Sequence, residues 1–64
     1  MGPGEFVVIA AQPVGLNTIE ENVLPSREQA DTEFDRLTRV HKGARVYLGN
    51  HRGQVLREFP EPRD

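Results

Sequence analysis

The 64-residue sequence predicts a small α+β domain, in which one amphipathic helix packs on an antiparallel sheet of three or four strands. Three observations support this prediction: an apolar run near the start, a capped helical segment in the middle and a hairpin signal near the end. The predicted order of elements is β-(β)-α-β-β. The bracketed strand is the one whose residues give mixed signals.

The first strand is the continuous apolar run Phe6–Ala11. It predicts a buried strand, because β-branched and aromatic residues favour strands and no polar residue interrupts them. Residues 18–24 are also partly β-branched, but the pair Glu20 and Glu21 favours a loop or an exposed edge strand. We predict a short edge strand that pairs back on the first. Its two acidic residues would then discourage pairing with another sheet edge.

The helix has the clearest local signal in the chain. Ser26 is a good N-cap, and Gln29 follows it by three residues, which is the spacing of a capping box. We predict a helix over residues 27–42 that ends at Gly43, since glycine favours the turn after a helix. The residues expected to face the core recur at helical spacing. They are Ala30, Phe34, Leu37, Val40 and, at the core edge, His41.

The last two strands are predicted at residues 45–48 and 54–59. A hairpin loop at residues 50–53 joins them, with Gly53 in a positive-φ conformation. Which side of the last strand faces the helix depends on the hairpin register, because a shift of one residue exchanges the two faces. The sheet residues expected to face the helix are Val7, Ile9, Val46, Leu48 and either Leu56 or Val55.

Residues 6–59 are expected to form one small domain. Residues 1–5 are typical of a cloning scar or a disordered start, so we assign them no function. Residues 60–64 contain two prolines and are expected to form a flexible tail.

Composition excludes several classes of protein. The chain has no Cys, so neither a disulfide framework nor a Cys-ligated zinc site can form. The longest apolar run has six residues, whereas a membrane helix needs about 20. We therefore expect no membrane association and no signal peptide, and we expect a cytoplasmic location.

The sequence contains no recognisable catalytic or metal-binding motif. The two histidines, His41 and His51, are ten residues apart, which matches no short metal-ligand spacing. The only serine is Ser26, and its capping role leaves no nucleophile for a serine triad. We predict a non-catalytic protein with no catalytic residue, no metal, no cofactor and no small-molecule substrate.

Charge is segregated along the chain. Residues 1–35 hold seven acidic residues and one basic residue, whereas residues 36–57 hold six basic residues and no acidic one. The net charge of -2 therefore conceals a basic segment of 22 residues. This segment indicates either an anion-binding surface or a set of ion pairs with the acidic segment.

The predicted function is macromolecular interaction. We expect the chain to bind a protein partner of acidic character, or a second copy of itself, through a sheet edge and a basic face. The alternative is a nucleic-acid-binding module that uses residues 36–57, with Tyr47 stacking on a base if it faces outward. The predicted binding residues are Arg36, Arg39, Arg45, His51, Arg52 and Arg57.

A structural interpretation of the same charges is also open. Acidic residues in the first turns of a helix and basic residues in its last turns complement the helix dipole, and this effect needs no ligand. The pairs Asp35–Arg39 and Glu33–Arg36 have the spacing of helical ion pairs. The arginines of the last two strands can pair with acidic residues across the sheet. In that arrangement the basic segment would be neutralised within the fold.

Overall fold

The structure is a computed structural model that describes residues 3–61 and contains four strands and one helix. The elements are β1 (Phe6–Ala11), β2 (Thr18–Leu24), α1 (Arg27–Val40), β3 (Arg45–Asn50) and β4 (Val55–Phe59). The predicted fold class and element order are confirmed, and residues 18–24 form a strand. Residues 1–2 of the predicted disordered start and residues 62–64 of the predicted tail lie outside the described residues.

The strands form one antiparallel sheet in the order β2-β1-β3-β4, so β1 and β3 are central and β2 and β4 are edges. α1 packs on β1, β3 and β2 and leaves most of β4 uncovered. The helix therefore covers one face of the sheet, and it is displaced toward the β2 edge.

The ends of α1 follow from local side-chain and backbone contacts. Ser26 has an extended backbone, and its Oγ accepts a hydrogen bond of 3.2 Å from the Gln29 backbone N–H, which is the first of the two hydrogen bonds of a capping box. α1 ends at Val40, where the amide of the capping residue His41 still donates to the Leu37 carbonyl. Gly43 has a φ of 88° and redirects the chain into β3.

The core lies between α1 and the two central strands. The buried residues that form it are Val8, Ala10, Ala30, Phe34, Leu37, Val46 and Leu48. Phe6 and Leu24 pack at its margin. The predicted inward positions of Ala30, Phe34 and Leu37 on α1, and of Val46 and Leu48 on β3, are therefore confirmed.

The predicted inward positions on β1 are wrong. Val8 and Ala10 are fully buried beneath α1, so Val7 and Ile9 lie on the opposite face of the sheet. β1 is apolar on both faces, and its own sequence therefore does not distinguish one face from the other.

Two further core predictions are also wrong. Val55 and Leu56 are 57% and 37% exposed, and the β4 residues that pair with the inward-facing β3 residues are Arg57 and Phe59. Val40 is 58% exposed, because the helical repeat places it about 90° from the centre of the buried stripe.

Candidate functional site

The largest polar cluster of the described residues joins β2 to α1. On the helix-facing side of β2, Glu20 Oε2 accepts from Arg36 Nη2 at 2.6 Å and from Asn22 Nδ2 at 2.8 Å. Its Oε1 lies 2.9 Å from Nε2 of His41. Glu33 accepts from the same Arg36, at 2.7 Å, and from Asn22, at 2.5 Å. Arg36 and Asn22 therefore bridge two carboxylates that would otherwise repel each other.

These contacts stabilise the ionised carboxylates. The hydrogen bond with His41, followed by those with Asn22 and Arg36, lowers the pKa of Glu20 from its ordinary 4.5 to about 2. The hydrogen bond with Arg36 also lowers the pKa of Glu33, although partial burial and the charge of Glu20 oppose this shift. Glu21 is exposed, whereas Glu20 is half-buried and bound to α1 through Arg36 and His41.

A second contact ties β4 to α1. The guanidinium carbon of Arg57 lies 4.2 Å from the centroid of the Phe34 ring, within range of a cation–π interaction. Arg57 Nη1 is 3.0 Å from Asp31 Oδ1, and its Nη2 is 3.5 Å from Asp35 Oδ1. The hydrogen bond from Arg57 lowers the pKa of Asp31. The helical pair predicted between Asp35 and Arg39 is replaced by this contact with Arg57.

A third contact lies on the sheet face opposite α1. Arg45 Nε donates to the Tyr47 hydroxyl at 2.9 Å, and Arg45 Nη2 donates to Glu58 at 3.0 Å. Tyr47 does face away from α1, but its hydroxyl is already bound. Three of the six predicted binding residues, Arg36, Arg45 and Arg57, are thus in ion pairs within the domain.

The remaining basic residues lie at two ends of the domain. Among residues 3–61, the side chains of Arg39, Lys42 and Arg52 form no ion pair. His51 Nδ1 accepts a weak contact of 3.4 Å from the Gly4 amide.

Arg39 and Lys42 lie near the start of β3, whereas His51 and Arg52 form the hairpin tip after its end. The length of β3 separates these groups by about 16 Å. The basic residues of the segment 36–57 that form no ion pair are therefore divided between the two ends of β3. Binding by the six residues stays a prediction.

A groove borders the β4 edge. It has a volume of about 390 Å³ and lies between β4 and α1. Its lining residues are Phe34, Leu56, Arg57, Glu58, Phe59 and Glu61. Phe59 is on the helix-facing side of β4 but remains 48% exposed, because α1 does not extend over this strand.

Sequence reasoning missed this groove. It assigned one apolar residue of the last strand to the core and left the others unexplained. A signal was nevertheless present, because Val55, Leu56 and Phe59 place apolar side chains on both faces of β4. A strand with one covered face needs apolar side chains on that face alone.

Residues 3–61 contain no group of three or more His, Cys, Asp or Glu side chains placed to hold a metal ion. In the same part of the chain no helix is long and apolar enough to cross a membrane. Compared with protein-family models, curated proteins and solved structures, the chain gives no match.

Proposed function

We propose that this chain is a small non-catalytic interaction module that binds an extended segment of a protein partner at the β4 edge. The observation that carries the proposal is the exposed β4 edge beside a groove that contains the half-exposed ring of Phe59. An edge strand offers unpaired backbone amides and carbonyls, and an added strand satisfies them.

The groove indicates the chemistry of the partner segment. When a strand is added, alternate side chains point to each face of the sheet. One set would enter the groove and contact Phe59 and Leu56, which favours aliphatic or aromatic side chains. Asp31 and Asp35 beside the groove pair with Arg57 and Arg27, and Glu58 pairs with Arg45. Glu61 is then the carboxylate of the lining that has no ion pair within residues 3–61. We therefore expect basic residues in the partner segment, instead of the acidic character inferred from the basic segment.

The two sheet edges differ in their suitability for pairing. β2 carries the exposed charge of Glu21, and its helix-facing side chains Glu20 and Asn22 are bound to α1. A charged edge strand resists pairing with another strand. Among residues 3–61, no element packs over Val55 and Leu56 of β4. The two charged residues of β4, Arg57 and Glu58, are already in ion pairs within the domain.

Nucleic-acid binding by residues 36–57 is the alternative proposal, and no observation favours it over protein binding. Arg36, Arg45 and Arg57 are in ion pairs, and the remaining basic residues are at opposite ends of β3. A phosphate backbone is bound by a continuous basic surface.

The test is selection of peptides from a random displayed library on the immobilised protein, followed by NMR of the labelled protein with an enriched peptide. We expect peptides with alternating apolar residues and flanking Lys or Arg. Their amide shift changes should map to residues 55–59 and to the facing side of α1.

A matched pair of variants locates the site. Leu56→Lys should weaken peptide binding by about tenfold or more. The control Leu16→Lys makes the same change at a loop residue that is 55% exposed, and it should leave binding unchanged. The proposal is overturned if no peptide is enriched, if the shifts map elsewhere, or if both variants bind like the original chain.

A further inference from the structure

We infer that the sheet face opposite α1 is a self-association surface, on which a second copy of this chain packs face to face. This surface is distinct from the β4 edge, so the inference goes beyond the proposed function.

The sheet face opposite α1, which we call the open face, carries a continuous apolar row across all four strands. The strand registers align Val23 with Val7, Val7 with Gly49, and Gly49 with Val55. Val23 and Val55, at the two ends of the row, are 50% and 57% exposed. Apolar side chains in such a row are typical of a contact surface.

β1 has the composition of a strand that is buried on both faces. An antiparallel sheet that leaves one face in water usually has polar residues on that face. Here Val7 and Ile9 occupy the outer positions of β1, while Val8 and Ala10 fill the inner ones. Among residues 3–61, α1 covers the inner face and no element covers the outer one.

The relief of the open face is self-complementary. Gly49 has no side chain, and the concavity around it has a volume of about 310 Å³, with Val7 on one side and Val55 on the other. Val23 protrudes from the same row, two strands away from Gly49. A two-fold axis parallel to the strands and above β1 keeps each row opposite itself. It places Val7 of one copy over Val7 of the other. It also places Val23 of each copy in the concavity around Gly49 of the other copy.

The same axis brings opposite charges together. The neighbouring row aligns Glu21 with Ile9 and Ile9 with Tyr47. The axis therefore places Glu21 of one copy over Tyr47 of the other, beside Arg45. The Nε of Arg45 binds the Tyr47 hydroxyl and its Nη2 binds Glu58, so Nη1 is the guanidinium nitrogen that Glu21 would meet. Glu21 is exposed and makes no ion pair or side-chain hydrogen bond within residues 3–61. This arrangement gives it a cationic partner twice in each dimer.

The size of the contact predicts a weak dimer. With the axis above β1, three strands of each copy overlap, an area of roughly 14 Å by 20 Å in projection. This is well below the roughly 800 Å² per partner of a standard stable interface. We therefore expect a dissociation constant of tens of micromolar or higher. β4 lies outside the overlap, so its edge stays accessible in the dimer.

Sedimentation equilibrium of the purified chain at about 10 to 500 µM tests the inference directly, since a weak interface populates dimer only in this range. We expect a reversible monomer–dimer equilibrium. Val23→Lys should weaken dimerisation by about tenfold or more. The control Val40→Lys makes the same change at a helix residue that is 58% exposed, and it should have no effect. Circular dichroism should show that both variants are folded.

Charge exchange tests the geometry of the contact. Glu21→Arg and Arg45→Glu should each weaken the dimer, and the double variant should restore it to within about threefold of the original chain. A chain that stays monomeric at all concentrations overturns the inference. So does a dimer that Val23→Lys leaves intact, because its interface would lie elsewhere. These outcomes are independent of peptide binding at β4, for which Leu56→Lys is the diagnostic variant.

Discussion

Nε2 of His41 lies 2.9 Å from Oε1 of Glu20, and this contact joins the C-terminal cap of α1 to the edge strand β2. The same carboxylate also accepts from Arg36 and Asn22. β2 contributes only Leu24 to the margin of the apolar core. Polar contacts therefore hold much of this strand against the helix.

The contacts of Glu20 with Arg36, Asn22 and His41 should make the domain less stable at acid pH. The pKa of Glu20 is about 2 in the folded chain and ordinarily 4.5, so the unfolded chain binds the proton first. Its stabilising contribution is complete above about pH 4.5 and is lost as the pH falls toward 2. Thermal unfolding followed by circular dichroism at several pH values should show a falling Tm in this range.

Substitution of the carboxylate separates this contribution from the general effect of acid. Glu20→Gln should lower Tm at neutral pH and reduce the loss of Tm between about pH 5 and pH 2.5. A residual loss is expected, because the pKa values of Asp31 and Glu33 are also lowered. Glu21→Gln is the control on the same strand, measured on dilute protein. An equal acid-induced loss in both variants would contradict the assignment.

Phe34 is the main apolar anchor of α1. Its side chain is only 4% exposed, and Arg57 stacks on its ring. Phe34→Ala should lower the free energy of unfolding by about 3–5 kcal/mol, which is most of the stability of so small a domain. Urea unfolding monitored by circular dichroism measures this change.

A truncation on the exposed side of the same helix provides the comparison. Val40→Ala removes apolar atoms from a side chain that is mostly in solvent, so the free energy of unfolding should change by less than about 0.5 kcal/mol. If Phe34→Ala were as stable as Val40→Ala, the packing of α1 on the sheet would be different from the one described.

The distribution of basic residues predicts that the chain does not bind nucleic acid. Fluorescence anisotropy with labelled duplex DNA and single-stranded RNA, at about 50 and 200 mM salt, should detect no binding that weakens steeply with salt. A logarithmic slope of about -3 or more in magnitude would instead show several phosphate contacts. Such a slope would support nucleic-acid binding as the function, and the variants Arg39→Gln and Arg52→Gln would then locate the contacts.

Predictions from short-range signals were accurate for the start of α1, most of its buried stripe and the hairpin turn, but they placed the end of α1 two residues too late. Ser26 and Gln29 indicated the start of α1, and Gly53 indicated the hairpin turn, where its φ is 81°. Helical spacing correctly identified Ala30, Phe34 and Leu37 as the buried stripe and wrongly added Val40. Each of these signals depends on residues that are close along the chain, so local stereochemistry decides the outcome.

Predictions that required a pairing between distant segments failed or were incomplete. Arg36 binds Glu20 across 16 positions of the sequence, and Arg57 binds Asp31 across 26. The sequence permitted these pairs but could not select them over Asp35–Arg39. The selection depends on which strand lies beside α1, and that is a property of the sheet order.

The sequence by itself determined which elements form and where α1 begins, because capping, periodicity and turn chemistry act within a few residues. Only the tertiary structure decided which face of β1 is buried, since both faces are apolar and the position of α1 alone distinguishes them. It also decided that the basic residues without an ion pair lie at opposite ends of β3. Neighbours along the chain were separated by the length of β3, and the ion pairs formed between segments that the sheet order brought together.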